Sequence, residues 1–437
     1  MAPRRKSSLP EASSGSLSFT PHPLRGPVLA EVHARPFHPV ETPCRILRFA
    51  FMTDFAEAER DRAALKAFCA SRGVSGPVDG LKHCLVTLGD AVLRWEQHSE
   101  FTTYTYEVAG KDRAPFERPA SSLAYVMRDI PQPGPHLVSI DLHLMAAMPE
   151  GGLAGLFDPA SLAASTLAKG KAVAATDFRA SSDGFVRLLV VNSGLTPETA
   201  GALTQRLLEI ETYRTFALLG LPEAQRLAPH VKTVEDQLTE IATGMTGSEG
   251  LEANHKLLTD LMRLAAQLEA DATRSGYRFS ASRAYDGIVQ QRLEALEEEP
   301  LAGHATFASF LSRRLAPAMR TCQMMEERQS KLADKLARTA NLLRTRVYVE
   351  MEEQNRDLMH SMNERTRLQL RLQQTVEGLS VAAVSYYVLG LLGYLFKGAK
   401  EAGYMPFDPS IATALALPPV VIFMAYAMLR IRNRHGE

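Results

Sequence analysis

The chain has 437 residues, enough for two to four domains, and its 49 basic and 49 acidic side chains balance to a formal net charge of zero. A chain without net charge generates no overall field that attracts nucleic acid, so we expect no nucleic-acid partner. Its four cysteines show no C-x-x-C spacing, which argues against a disulfide framework or a structural zinc site and favours a reducing compartment.

The first part of the chain predicts a tail, a loop and then an α+β domain. Residues 1–20 contain few apolar side chains and are expected to be disordered. Residues 21–43 carry six prolines, which predicts an extended loop rather than a helix. The domain is predicted over 21–195, with Asp54 and Glu57 as a capping box for its first helix. The other predicted elements are a short helix over 121–129 and strands over 45–52, 81–88, 91–95, 101–108, 137–145, 171–178 and 185–191.

A helical region is predicted to follow over residues 196–316. Thr196 is a good N-cap, Pro197 suits the first helical position, and Gly220 ends the first helix. Apolar side chains at helical spacing predict further helices over 222–243, 248–275, 281–298 and 306–316.

A long stalk helix is predicted over residues 317–378, because no proline interrupts the chain between Pro317 and Pro406. Apolar residues recur along it at steps of mostly four and seven, and they are Met325, Leu332, Leu336, Leu343, Val347, Met351, Leu358, Met362, Leu368, Leu372 and Val376. This stripe predicts either association of identical stalks into a homo-oligomer or packing on the helices of the same chain. The periodicity fits both, so both stay open.

Two uncharged segments near the C-terminus, 379–396 and 411–429, have the length that crosses a hydrocarbon core of about 30 Å. They predict a transmembrane hairpin over 379–430 with a short outer loop, followed by a tail over 431–437. The basic residues that flank the hairpin are Arg365, Arg367, Arg371, Arg430, Arg432 and Arg434, and the loop carries Lys397 and Lys400. This distribution predicts a multi-pass inner-membrane protein with both termini in the cytoplasm.

Four residues of the two spans have predicted packing roles. Gly390 and Gly393 would let the helices approach closely inside the bilayer. Pro418 and Pro419 are expected to kink the second span.

Six side chains form a candidate surface or metal cluster. Glu31, His33 and Arg35 alternate along the chain, as do Glu96, His98 and Glu100, so an extended backbone would place each set on one face. Histidine and carboxylates bind divalent cations, although salt bridges that fix the proline-rich segment to the sheet would explain the same residues. No motif of a hydrolase, nucleotide-binding protein or dehydrogenase is present, and none specifies a cofactor, so a non-enzymatic protein is expected.

Several stretches resemble a bacterial family of membrane-anchored proteins catalogued as domain of unknown function 3422. They are Glu31 to Pro36, Trp95 to Tyr104, Glu211 to Arg214, Leu218 to Pro222 and Val376 to Ala382. The resemblance covers nearly the whole chain. It implies a membrane anchor and no particular activity.

The order of these parts also looks like the plan of the CorA-type magnesium channels. Those channels carry Gly-Met-Asn after the first span, whereas this chain has 393–398 as GYLFKG, and Lys397 would repel a cation. We therefore expect a membrane-anchored homo-oligomer that contacts the lipid bilayer and serves as an interaction or scaffold module, with a protein partner that the sequence does not name. A CorA-like channel or transporter and a metal-dependent enzyme are the alternatives.

Overall fold

The computed structural model describes residues 22–32, 38–78, 80–110, 114–116, 131–247 and 250–434. The predicted tail over 1–20 and the predicted helix over 121–129 lie outside these residues. The chain divides into two compact units, the first made of 1–238 with 264–335 and the second of 239–263 with 336–437.

The first unit is built on a mixed sheet, which has nine strands among the described residues. They are β1 (Cys44–Met52), β2 (His83–Leu88), β3 (Ala91–Gln97), β4 (Phe101–Ala109), β5 (His136–Met145), β6 (Ala163–Leu167), β7 (Ala172–Thr176), β8 (Val186–Asn192) and β9 (Glu299–Pro300). Their spatial order is β2-β3-β4-β1-β5-β8-β7-β6-β9. Only the central pair, β5 with β8, is parallel among these pairings.

The helices of the described chain are α1 (Arg25–Val32), α2 (Phe55–Ser71), α3 (Pro197–Leu218), α4 (Gly220–Gly247), α5 (Leu251–Glu294), α6 (Phe307–Glu401) and α7 (Pro409–Arg434). The predicted capping box of α2 is confirmed, because Asp54 accepts a hydrogen bond from the Glu57 amide and its own amide donates to the Glu57 carboxylate. Thr196 likewise caps α3, with Pro197 at its start. The predicted α+β domain followed by helices is thus confirmed.

The prediction of an extended loop over residues 21–43 is wrong in part, because α1 forms within it. Pro27 lies in the first turn of this helix, where a missing amide hydrogen removes no helical bond. Two predicted breaks in the helical region are also absent. The helix α5 passes through the gap left between 275 and 281, and α6 continues through Pro317.

Pro317 does not end its helix because the side chains around it are held by packing. Leu315 and Ala318 are both buried, and such tertiary contacts outweigh local propensity. Residue 317 is therefore not a helix boundary between the predicted helical region and the predicted stalk. The strands β6 and β9 were not predicted, since AASTL and EP lack the alternation typical of a strand.

Helices cover one whole face of the sheet and part of the other. On the first face, Ile140 and Leu188 pack with Leu207 of α3, Val289 of α5 and Phe307 of α6. The predicted helical region therefore shares its core with the sheet.

On the second face, Leu65 of α2 packs over Trp95 and Tyr104. A loop that contains Leu153 and Phe157 covers the other half of that face. The sheet is buried on both sides along its centre, so polar residues of the central strands must find partners inside the protein.

The second unit contains the end of α4, the start of α5, most of α6 and all of α7. Leu343 is buried, and near it Asn254 donates a 2.6 Å hydrogen bond to the Glu350 carboxylate. From Met351 to Val376, every side chain of α6 is exposed. The stripe is therefore packed within the chain in its first part and exposed in its second.

The C-terminal part of α6 and the helix α7 are each long and apolar enough to cross a membrane. This finding supports membrane association. It rests on length and composition.

Candidate functional site

The predicted cluster of six residues is only partly within the described chain. Glu31 lies in α1, but its side chain, His33 and Arg35 are outside what the structure describes. Convergence of all six residues stays a prediction. Over the described ranges, no group of three or more His, Cys, Asp or Glu residues is arranged to hold a metal ion.

The other three residues of that cluster are engaged in contacts within the protein. Glu96 is buried and accepts hydrogen bonds of 3.3 Å from Arg48 and from Thr103. Glu100 is buried and binds the guanidinium of Arg278 with both oxygens.

The His98 ring stacks on Phe101, with 4.1 Å between the ring centroids. None of these partners belongs to the proline-rich segment, so the predicted salt bridges from that segment to Glu96, His98 and Glu100 stay a prediction. The proline-rich segment itself reaches the sheet elsewhere, since His38 lies 3.4 Å from the Glu107 carboxylate.

A buried charged layer lies between the sheet and α3, made of Arg48, Arg94, Glu96, Glu107, Gln205 and Glu209, and the partly exposed Arg292 of α5 joins it. Arg94 donates to Glu107 at 3.0 Å and to Gln205 at 3.1 Å. Gln205 in turn donates to Glu209 at 3.0 Å, which also accepts from Arg292 at 2.5 Å. Arg48 and Glu96 form a separate pair in the same layer, which thus holds three basic and three acidic groups, and such pairing is what makes buried charge tolerable.

On the second face, the buried carboxylate of Asp61 joins two aromatic residues of the sheet. It accepts a 2.7 Å hydrogen bond from the Trp95 indole and another of 2.7 Å from the Tyr104 hydroxyl. Burial raises the pKa of Asp61 above its usual range, and the bonds from Tyr104 and Trp95 oppose this only in part. Asp61 thus fixes α2 to the sheet through a polar contact inside an apolar core.

A second buried carboxylate, Asp141, is held by a basic side chain on the neighbouring strand. Arg45 binds both of its oxygens at 2.8 and 3.0 Å, and His143 lies 3.3 Å away. Burial alone would raise the pKa of Asp141, but the hydrogen bonds from His143 and Arg45 lower it overall. Asp141, Arg45 and His143 therefore form a local polar network.

The first unit contains a cavity of about 330 Å³, within the range of small-molecule sites. Its walls are the second half of α3, the first turns of α6, and the loops around residues 158–161 and 177–179. Phe178 has a φ of 55°, which is a strained conformation for a residue with a bulky side chain. This backbone places its ring against Phe310, with 5.0 Å between the centroids, and under the Arg214 guanidinium at 5.2 Å.

Three arginines line this cavity, and they differ in their interaction partners. Arg214 binds both oxygens of Glu211, whose pKa is raised by complete burial. Arg179 pairs with Asp158 at the surface. Arg314 lies 4.1 Å from the centre of the Phe310 ring and makes no ion pair or hydrogen bond with any described residue.

The sequence pointed to this cavity only through Arg214, in the stretch from Glu211 to Arg214 that carries the family resemblance. The spacing of three residues places their side chains together on a helix. Arg179 and Arg314 gave no signal, because they come from a loop and a helix that are far apart in sequence.

The predicted packing residues of the spans lie in the second unit. Gly393 faces α7, since a Cβ at its position would be 3.6 Å from the Thr413 hydroxyl. Gly390 lines the same cavity of about 800 Å³ between the two apolar helices, together with Tyr386 and Tyr394. Pro418 and Pro419 lie inside α7. Roles of these residues in membrane packing stay predictions.

The family profile described as "Protein of unknown function (DUF3422)" matches residues 20–435. Comparison with curated proteins and with solved structures gave no match. The match spans the sheet, the helices of both units and both apolar segments. The chain therefore belongs to the DUF3422 family, whose function is unknown.

Proposed function

We propose that this protein is a membrane-anchored homo-oligomer that serves as an interaction or scaffold module. The exposed segment of α6, Met351 to Val376, carries this proposal. An isolated helix of this length is marginally stable in water, and most helical stability in proteins comes from packing of an apolar face. This segment has such an apolar face, and no described side chain of its own protein packs against it.

The face has the spacing of a coiled coil. Met351, Leu358, Leu372 and Leu379 fall at one heptad position, and Met362 and Val376 fall at the other. Asn355, Arg365 and Gln369 occupy the remaining core positions between them. Polar residues at such positions lower stability but specify register and the number of strands, which suits a defined oligomer.

The anchor favours parallel association. The apolar part of α6 and the helix α7 form a hairpin in the bilayer in this proposal, so identical copies enter the membrane with the same orientation. The exposed segments of neighbouring copies then run side by side from the membrane surface. A parallel cyclic assembly follows, in the inner membrane, with the sheet-containing unit in the cytoplasm.

The first test replaces one apolar core residue of the exposed segment. In detergent, the Leu358→Glu variant should lose at least half of the oligomeric mass measured by light scattering, because it places a charge in the proposed interface. Leu370→Glu is the matched control, since Leu370 is similarly exposed but lies on the outer side of the heptad. An unchanged mass in Leu358→Glu, or an equal loss in both variants, would contradict the proposal.

The same samples, reconstituted in liposomes, test the channel alternative. The last turns of α6 carry Lys397 and Lys400 directly after the first apolar segment, and Lys400 lies 3.9 Å from Asp408. We expect no cation flux above that of empty liposomes. A conducting oligomer would favour the channel.

A further inference from the structure

The arginine-lined cavity of the first unit has the features of a binding site that the scaffold proposal does not use. A φ of 55° at Phe178 is costly for a residue with a Cβ, and such conformations concentrate at ligand sites. The result of this conformation is an aromatic wall, in which Phe178 stacks on Phe310 and meets the edge of Phe307 at 5.6 Å.

The charges around the cavity leave one cation available. Glu211 is occupied by Arg214, and the Asp177 carboxylate accepts hydrogen bonds from the backbone amides of Asp158 at 3.0 Å and Arg179 at 3.1 Å. Arg314 has only the ring of Phe310 beside it among the residues that the structure describes. An Arg fork over an aromatic ring is a common way to present a guanidinium to a carboxylate or phosphate.

A second arginine can be recruited at small cost. The side chain of Arg179 is 65 % exposed, and it pairs with Asp158 at the surface. Exposed ion pairs contribute little to stability, so an anion in the cavity can replace Asp158 as the partner of Arg179.

A buried hydroxyl also lies in the wall of the cavity. Ser161 is only 8 % exposed, and its hydroxyl has the Asp158 carboxylate as its partner. A hydroxyl donates to one acceptor at a time, so an anion in the cavity can replace Asp158 as the acceptor of Ser161 as well.

We propose that this cavity binds a small organic anion, whose carboxylate or phosphate group contacts Arg314, Arg179 and Ser161 while its apolar or aromatic body packs on Phe178 and Phe310. The anionic group replaces water around the guanidinium groups and replaces Asp158 as the acceptor of the Ser161 hydroxyl. The ligand needs an apolar or aromatic body because the rings of Phe178 and Phe310 form two walls of the cavity.

Calorimetric titration of the full chain in detergent with phenyl phosphate and with benzoate tests the proposal. Saturable binding of at least one of them is expected. Inorganic phosphate supplies only the anionic group and benzyl alcohol only the aromatic ring, so each should bind at least tenfold more weakly. Preference for phenyl phosphate identifies a phosphate ligand, and preference for benzoate identifies a carboxylate.

A variant of Arg314 separates this site from general attraction to a basic surface. Arg314→Gln should weaken binding of the better probe at least tenfold, whereas Arg313→Gln should change it less than twofold. Arg313 is the matched control because it is the preceding exposed residue of α6 and, among the residues that the structure describes, donates to the Ser309 carbonyl of its own helix. The absence of saturable binding of both probes, or equal losses in the two variants, would overturn the proposal.

Discussion

Buried carboxylates of this protein differ in their hydrogen-bond partners, and Asp61 and Asp141 show the contrast. Trp95 and Tyr104, the partners of Asp61, are neutral, so no cation balances its charge among these bonds. Burial therefore dominates, and the raised pKa means that the folded protein keeps the proton above the ordinary pKa of about 3.9. Asp141, which binds Arg45, has a lowered pKa in an equally buried place.

The Asp61→Asn variant tests this difference. Since the pKa of Asp61 is higher in the folded state, the unfolding free energy should fall as the pH rises from about 4 through the raised pKa. An asparagine carries no charge, and its amide can accept from Trp95 and donate to Tyr104. Denaturant titrations between pH 4 and 8 should therefore show a smaller fall in the variant.

Asp61→Leu serves as the contrasting substitution. It leaves the indole and the phenol without an acceptor and should cost about 1–3 kcal/mol for each at every pH. An equal dependence on pH in the native protein and in Asp61→Asn would show that Asp61 does not titrate in this range.

At the scale of elements, α3 is positioned by a close approach to the chain before β1. A Cβ on Gly201 would lie 1.9 Å from the carbonyl oxygen of His38, so only glycine fits there. The Val40 amide also donates to the Pro197 carbonyl at 2.9 Å. This contact holds the first turns of α3 against the segment that leads into the sheet, above the buried charged layer.

The Gly201→Ala variant should destabilise the protein by about 1–3 kcal/mol, because the added methyl group forces the backbones apart. Gly287→Ala is its control, since Gly287 lies in the interior of α5 with open space around its Cβ position. Replacing a helical glycine in open space stabilises by about 0.5–1 kcal/mol. Thermal unfolding of both variants gives the comparison, and a stabilised Gly201→Ala would refute the close approach.

The elements were more predictable from the sequence than their contacts. The alternation over 101–108 correctly predicted β4, but it did not show that Thr103, Thr105 and Glu107 are buried. Arg48 donates to Thr103 and Arg94 donates to Glu107 from neighbouring strands, and Arg94 also donates to Gln205 on α3. No local pattern reports such distant pairs. Charged residues in a strand therefore marked an interior network instead of the surface.

The cavity could not be predicted for a similar reason. Its walls come from segments of the chain that are distant in sequence, and the residue with positive φ is a phenylalanine, which carries no turn signal. The part of α6 that follows Pro317 was predictable, because helix propensity and the absence of proline act locally.

At the scale of the whole molecule, the proposed topology predicts on which side of the membrane an introduced cysteine reacts. A cysteine introduced in the connection between the apolar helices, as Gly403→Cys, should react with a membrane-impermeant maleimide in spheroplasts. A cysteine at the N-cap of α2, as Asp54→Cys, should react only after the membrane is opened. The reverse pattern would invert the topology. The native chain is the control, and three of its four cysteines are buried.

The outer edge of β6 is covered only late in the synthesis of each polypeptide chain. β9 pairs with β6, and the Ser165 hydroxyl donates to Glu298 across a separation of 133 residues. Glu298 also accepts from the amides of Phe307 and Ala308, so the same carboxylate holds the start of α6.

While the ribosome is still translating α3, α4 and α5, β6 must remain an unpaired edge, and open edges recruit other strands. The nascent chain thus passes through a period in which it needs protection from aggregation. That period ends when Glu298 and the two residues after it emerge.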